Sequence, residues 1–222
     1  SLRRQRQMCI RDSPGAVDGW VKLHEKFGNQ EFKTLFQPTI DYAINGFPVT
    51  ETIAYYLEKS AGRYIEYPNF SELWLKDGKT PAKGEIFKNP QLAKTLQAIA
   101  EKGRAGFYEG EIAHTMADFI QSEGGFLSYK DLSSFHSEWT PPVSTNYRGY
   151  DVWELPPSGQ GIAALQILNI LEDFDIKKMG LYSSEYIHLF TEAKKLAFAD
   201  RAKYYADPNF SDIPVQELIS KD

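Results

Sequence analysis

The sequence predicts a mostly helical piece of an α/β protein, and three patterns indicate this class. Most of the chain after residue 13 carries apolar residues at helical spacing, interrupted by glycine and proline. Residues 143–155 alternate apolar and polar side chains around Arg148-Gly149, a pattern typical of a β-hairpin. Residues 162–174 are apolar on nearly all sides, so we expect a buried helix at the centre of the fold.

Several helices are predicted before the hairpin. The first is expected to end in a left-handed cap at Gly28-Asn29, and the clearest one begins at Asn89-Pro90 and should end at Gly103. Asp131 is expected to cap a further short helix. The predicted spans are residues 17–27, 35–44, 50–57, 89–103 and 111–123.

Two further segments complete the chain. Residues 62–84 follow neither the helical nor the strand period, so we expect an irregular loop that its aromatic side chains anchor. A last helix is expected from Ser183 or Ser184 to about Ala206, where Asp207-Pro208 ends it.

Composition excludes several classes of protein. The chain has 222 residues, 25 basic and 30 acidic, and a net charge of −5, which opposes sequence-independent binding to nucleic acid or to an anionic membrane. No apolar run has the length of a membrane span. The single cysteine, Cys9, excludes an intramolecular disulfide and a multi-cysteine zinc site. The length predicts one domain or at most two.

Residues 1–13 differ from the remainder. They contain four arginines and one aspartate but no apolar face, so we interpret them as a foreign or artefactual leader and exclude them from the fold. Without them, residues 14–222 have 21 basic and 29 acidic residues, a net charge of −8, and no cysteine. A cysteine nucleophile is thereby excluded, and such a chain suits an oxidising compartment.

The turn at residues 156–161 is the most suggestive local feature. Ser158, Gly159 and Gly161 would leave backbone N–H groups free at a helix start, where an anion is stabilised. The spacing fits neither a phosphate loop nor a nucleophile elbow. The alternative, which we favour, is that the glycines let a buried helix approach a strand closely.

Three other groups of residues have both a chemical and a structural interpretation. Glu185, His188 and Glu192 share a helix face with the spacing of a metal site, but a solvated face is the simpler hypothesis. Asp200-Arg201 is predicted to be a structural ion pair or cap rather than a catalytic dyad. The aromatic residues of the first half are expected to anchor their loop rather than line a ligand cleft. They are Tyr55, Tyr56, Tyr64, Tyr67, Phe70 and Trp74.

Eight strings, taken in order, resemble the middle of the large subunit of the γ-glutamyltransferase (glutathione hydrolase) family. They are residues 14–20, 87–96, 106–110, 124–127, 147–150, 156–161, 168–172 and 192–201, the last followed by Asp207-Pro208. The family usually carries Gly-Gly after the serine of the sixth string, whereas this chain has Gly159-Gln160-Gly161.

The resemblance implies an αββα N-terminal-nucleophile hydrolase made as a self-cleaving proenzyme. The large subunit then pairs with a small subunit whose N-terminal threonine attacks the γ-glutamyl amide, with no metal or cofactor. That threonine is expected beyond Asp222 and the carboxylate-binding arginine before residue 14, so residues 14–222 form a domain truncated at both ends. No catalytic residue is therefore placed in this chain, and its substrate-binding residues are unknown.

The same resemblance implies a periplasmic or secreted location, a heterodimer with the small subunit, and a small γ-glutamyl substrate. Relatives on this scaffold include acylases of β-lactam side chains and poly-γ-glutamate depolymerases, which the matched strings do not separate. An alternative of another class is a helical interaction domain without catalytic parts. The isolated chain is expected to be inactive.

Overall fold

The computed structural model describes residues 14–221, which are mostly helical and include two small two-stranded sheets. These residues form two compact units, 14–137 and 138–221. The expected foreign leader lies outside the described residues. Within them, no helix combines the length and apolar character needed to span a membrane.

The first unit contains all of the helices predicted before the hairpin. Its elements are α1 (Ala16–Phe27), α2 (Phe32–Asn45), β1 (Phe47–Pro48), α3 (Glu51–Tyr64), α4 (Phe70–Trp74), β2 (Ile86–Phe87), α5 (Pro90–Tyr108), α6 (Glu111–Ser122) and α7 (Tyr129–Ser134). Strands β1 and β2 are antiparallel, with Phe47 opposite Phe87. Helices α2 and α5 pack through Ile40, Ala43, Ala93 and Leu96.

Local signals set most helix starts in this unit. The Asn89 side chain accepts a hydrogen bond from the Leu92 amide at 2.9 Å, which confirms the predicted cap of α5. Thr50 caps α3 in the same way, although this helix continues to Tyr64. At α7 the cap is Ser128, and Asp131 instead closes a capping box from the third helical position.

Three predictions in this unit need correction. Gly28 is extended (φ −70°, ψ 133°) and not left-handed, and its amide donates to the His24 carbonyl oxygen so closely that a Cβ at this position would lie 2.5 Å from that oxygen. Gly103 interrupts α5 at φ 57° without ending it, and the chain becomes helical again as far as Tyr108. Helix α4 lies within the predicted irregular loop, where Trp74 stacks on Phe87 at 5.2 Å.

The second unit begins with the predicted hairpin. Its elements are β3 (Val143–Tyr147), β4 (Tyr150–Glu154), α8 (Gly161–Glu172), α9 (Ile176–Met179), α10 (Ser184–Tyr204) and α11 (Val215–Leu218). Tyr147 pairs with Tyr150 across the turn, and both Arg148 (φ 52°) and Gly149 (φ 88°) have positive φ. These angles are typical of a type I′ turn, whose twist matches that of the strands.

Helix α8 is the centre of this unit, as its apolar sequence predicts. Ile162 and Leu165 are fully buried and pack with Ala197 of α10 and with Tyr205. Val143 and Val152 of the hairpin cover the same cluster. The prediction of a central buried helix is therefore confirmed.

Candidate functional site

The glycine turn before α8 is closely packed against strand β4. A Cβ built on Gly161 would lie 2.5 Å from Glu154 Oε2 and 3.0 Å from the Leu155 carbonyl oxygen. The helix start can approach the strand only because Gly161 has no side chain. The Glu154 carboxylate also places the chain's own negative charge at this helix start. The geometry thus supports the packing hypothesis over an external anion site.

Substitution of Gly161 tests this interpretation. We expect Gly161→Val to lower the free energy of unfolding by about 1–3 kcal/mol, because the new side chain displaces the Leu155 backbone. Gly159→Val is the matched control, because the only nearby atom is the Pro156 carbonyl oxygen at 3.9 Å. Urea unfolding should show a change of no more than about 0.5 kcal/mol for this control. Equal losses in both variants would contradict the close-packing interpretation.

A polar trio, in which Gln166 and Tyr205 are buried and Asp200 is half-buried, joins α8 to the end of α10. Gln166 Nε2 donates to Asp200 Oδ2 at 2.9 Å, and Tyr205 Oη donates to Gln166 Oε1 at 2.5 Å. Burial, together with the nearby Asp200 carboxylate, raises the pKa of Tyr205 to about 12. The raised pKa therefore keeps the phenol protonated, and able to donate its hydrogen bond, to a higher pH than for an ordinary tyrosine.

The trio changes the interpretation of Asp200-Arg201. Asp200 accepts from Gln166, whereas the Arg201 guanidinium lies 5.0 Å from the centre of the Phe198 ring. The two neighbours therefore serve different partners, and their predicted pairing is not what the structure contains. The hydrogen bonds of Gln166 and Tyr205 were not predicted, because their partners are 34 and 39 residues away in the sequence.

The suspected metal-ligand set lies on the exposed side of α10. Glu185 and His188 are exposed, and Lys195 donates to both carboxylate oxygens of Glu192 at 2.9 and 3.0 Å. This contact lowers the pKa of Glu192. Among residues 14–221, no group of three or more His, Cys, Asp or Glu side chains is arranged to hold a metal ion.

The aromatic residues of the first half have mixed positions. Tyr55, Tyr56 and Tyr67 are exposed, and Trp74 alone of the six stacks on a strand residue, Phe87. A cleft of about 500 Å³ in this unit follows α2 from Thr34 to Gly46 and contains none of them. Tyr64 also contacts the rings of Tyr67 and Phe70 at 6.1 and 5.9 Å, so these three pack against one another within the segment while Trp74 packs against the strand.

The first unit contains a charged cluster that the sequence did not predict. Asp18 is 1% exposed and accepts from Arg104 Nε at 2.9 Å and from the Ser137 amide at 2.6 Å. Arg104 Nη2 donates to the carbonyl oxygens of Ser133 and Phe135 at 2.8 and 2.6 Å, and Nη1 pairs with Glu109. Tyr108 Oη also donates to the Pro14 carbonyl oxygen.

This cluster is a structural clamp. All three guanidinium nitrogens of Arg104 donate to groups of the protein itself, through four of the five N–H groups, which supports a structural role for this side chain. Burial alone raises the pKa of Asp18, but the hydrogen bonds from Ser137 and the charge of Arg104 outweigh it and leave this pKa below its usual value. The clamp thereby ties α1 to α5 and to the end of the unit.

Comparison with known proteins shows which family this scaffold represents. Residues 13–222 match the family model described as gamma-glutamyltranspeptidase. The chain belongs to this family. It is 38% identical over 208 residues to the glutathione hydrolase-like YwrD proenzyme of Bacillus subtilis, covering 94% of this chain and 40% of the relative. The γ-glutamyltranspeptidase resemblance of the eight strings is thus confirmed.

Solved structures of the γ-glutamyltranspeptidase family have the same fold. The chain superimposes on the Helicobacter pylori γ-glutamyltranspeptidase with a TM-score of 0.88 at 34% identity, covering 94% of this chain and 60% of that one. A cephalosporin acylase from Bacillus halodurans gives 0.86 at 36% identity, covering 94% of this chain and 40% of that one. The chain thus spans 60% and 40% of these two solved chains.

Proposed function

We propose that this chain is the middle part of the large subunit of a γ-glutamyltransferase/glutathione hydrolase proenzyme. The observation that carries the proposal is the family match over residues 13–222, together with the TM-score of 0.88 to the Helicobacter pylori enzyme. The proenzyme would cleave itself into two subunits, and the small subunit would be the partner of this one. The substrate would be glutathione or a related γ-glutamyl compound.

The chemistry follows from the resemblance. The threonine hydroxyl attacks the γ-glutamyl carbonyl while its own α-amine takes the proton, and the amine leaving group departs protonated. Water, or the amine of an acceptor amino acid, then attacks the acyl-enzyme ester and restores the threonine. In this account residues 14–222 supply no reacting group. The hairpin and α8 would form part of the αββα scaffold that holds the site.

Location belongs to the same proposal. A periplasmic or secreted enzyme is consistent with residues 14–222 having no cysteine and a net charge of −8. The charge also disfavours nucleic acid as a partner. We propose no metal or cofactor for the reaction.

The acylase alternative is supported by the TM-score of 0.86 to the Bacillus halodurans cephalosporin acylase and by 35% identity over 209 residues to the acylase ACY 1 proenzyme of Pseudomonas sp. strain SE83. Transfer from γ-glutamyl compounds is favoured because a glutathione hydrolase-like proenzyme of Bacillus subtilis and a glutathione hydrolase proenzyme of Escherichia coli match at 38% and 37% identity. A comparison of the turnover rates of a γ-glutamyl anilide and an acylated β-lactam would distinguish the transferase from the acylase. The interaction-domain alternative has no comparable support, because these relatives bear enzyme names.

The gene from which this chain comes tests the proposal. We expect a threonine at the start of a strand downstream of Asp222 and an arginine-glutamate stretch upstream of Pro14. A natural stop codon soon after Asp222 would contradict the proposal that this chain is part of an enzyme. The isolated 222-residue chain is expected to release no p-nitroaniline from γ-glutamyl-p-nitroanilide. Release above a control without protein would show that catalytic groups lie within it.

A further inference from the structure

The first unit begins and ends at the same place. Asp18, near its start, accepts a hydrogen bond from the Ser137 amide at its end, at 2.6 Å. A Cβ built on Gly15 would lie 3.0 Å from Phe135 Cζ, so this ring lies directly against the first residues of the unit. The chain therefore enters and leaves residues 14–137 through one neck, which is the geometry of a self-contained module.

The clamp of Asp18 and Arg104 closes this neck. Arg104 donates to Asp18 at the start of the unit and to the Phe135 carbonyl oxygen at its end, so one side chain bridges both segments. The Tyr108 hydroxyl donates to the Pro14 carbonyl oxygen, and the Tyr108 ring stacks on Phe135 at 5.8 Å. Both side chains thus hold the entering segment and the leaving segment together.

A backbone break in α5 connects the clamp to the core of the unit. The part of α5 before Gly103 packs on α2 through Ala93 and Leu96, whereas Tyr108 after the break packs among α1, α6 and α7. Gly103 has φ 57° and ψ −139°, a conformation that other residues adopt only with strain. The break therefore lets one helix contribute to two apolar clusters and to the clamp.

The apolar clusters follow the boundary between the two units. The two clusters around α5 consist of residues 17–135, and Phe36 packs against both, so they form one continuous core. The cluster around α8 consists of residues 143–219. Since apolar burial is the main favourable contribution to folding, a unit that contains its own core is able to open and close as a whole.

We propose that residues 14–137 form a module that opens as one cooperative unit while residues 138–221 stay folded, with the clamp as the latch at its neck. Release of the latch frees the entering and leaving segments together, so the whole module opens and not one helix of it. This opening does not depend on the reaction that the complete protein catalyses.

Native-state hydrogen exchange of the 222-residue chain, resolved by residue, tests the module. The reporters are amides of buried helical residues, namely Leu96, Ile99 and Ala117 in the first unit and Leu165 and Ala197 in the second. We expect each set to share one opening free energy, with different values for the two sets. Arg104→Ala should accelerate exchange at least about 100-fold in the first set and no more than about 2-fold in the second.

A second pair of variants tests the latch without removing a charge. Gly103→Ala strains the break that directs Arg104 into the clamp, so we expect exchange in the first set alone to accelerate at least about 5-fold. Gly62→Ala is the matched control, because Gly62 lies within α3 and a Cβ there meets open space among the described residues. This control should accelerate neither set.

Three results would overturn the proposal. Equal acceleration of both sets by Arg104→Ala would show that the described residues unfold as one unit. Acceleration confined to α1 and α7 would show that the clamp holds only local segments. Absence of protection in the first set of the unsubstituted chain would show that residues 14–137 do not form a module.

Discussion

Replacement of Arg104 by alanine is expected to lower the free energy of unfolding by about 3–5 kcal/mol, because it leaves a buried carboxylate without its cation. Asp18 is 1% exposed, so its carboxylate depends on groups of the protein for its partners. The substitution also removes the donors to the Ser133 and Phe135 carbonyl oxygens. Urea unfolding of the variant at pH 7 measures the loss.

Lys83→Ala is the matched control for this experiment. Lys83 pairs with Glu51 at 2.5 Å, but both side chains are largely exposed, so its removal should cost no more than about 1 kcal/mol. Arg104→Lys keeps the charge but not the fork of donors, and we expect an intermediate loss. If Arg104→Ala were no more destabilising than Lys83→Ala, the clamp would have no structural importance.

The clamp also predicts the direction of the pH dependence. Because the pKa of Asp18 is lower in the folded state, its contribution is fully present above the unfolded value of about 3.9. The contribution is lost as the pH falls through the lower folded value. Acid unfolding of Asp18→Asn should therefore be less steep below about pH 4 than that of the unsubstituted chain.

Local features of the fold were predictable from sequence because their causes are local. The Arg148-Gly149 turn, the Asn89 cap and the all-round apolar residues of α8 each act within one or two turns of chain. Gly103 shows where such signals fail. A glycine with positive φ usually ends a helix, yet here the chain resumes a helical path so that Tyr108 becomes fully buried.

The charged and polar networks were not predictable. Asp18 and Arg104 are 86 residues apart, and Gln166 and Tyr205 are 39 apart, so only the folded structure brings them together. The packing role of Gly161 was predictable, because a glycine at the start of an apolar helix lets that helix lie close to a neighbouring strand. The reaction itself could not be derived from physical patterns, since the proposed nucleophile is not among these residues.

Self-processing of the complete proenzyme is the second large effect that we expect. One chain should become two, and the smaller product should begin with threonine, because attack by this residue both cleaves the backbone and frees its amine for catalysis. Replacement of this threonine by alanine should abolish cleavage. The Gly159→Val variant is the control and should still process, since a Cβ at this position has an ordinary contact with the Pro156 carbonyl oxygen at 3.9 Å.

Turnover of γ-glutamyl-p-nitroanilide by the complete purified protein tests the assignment most directly. The account predicts release of p-nitroaniline that depends on prior cleavage and disappears in the threonine-to-alanine variant. A complete protein that cleaves itself but hydrolyses only an acylated β-lactam would favour the acylase alternative. A folded, complete protein that neither cleaves itself nor releases p-nitroaniline would contradict the proposal that this chain belongs to a γ-glutamyl-transferring enzyme.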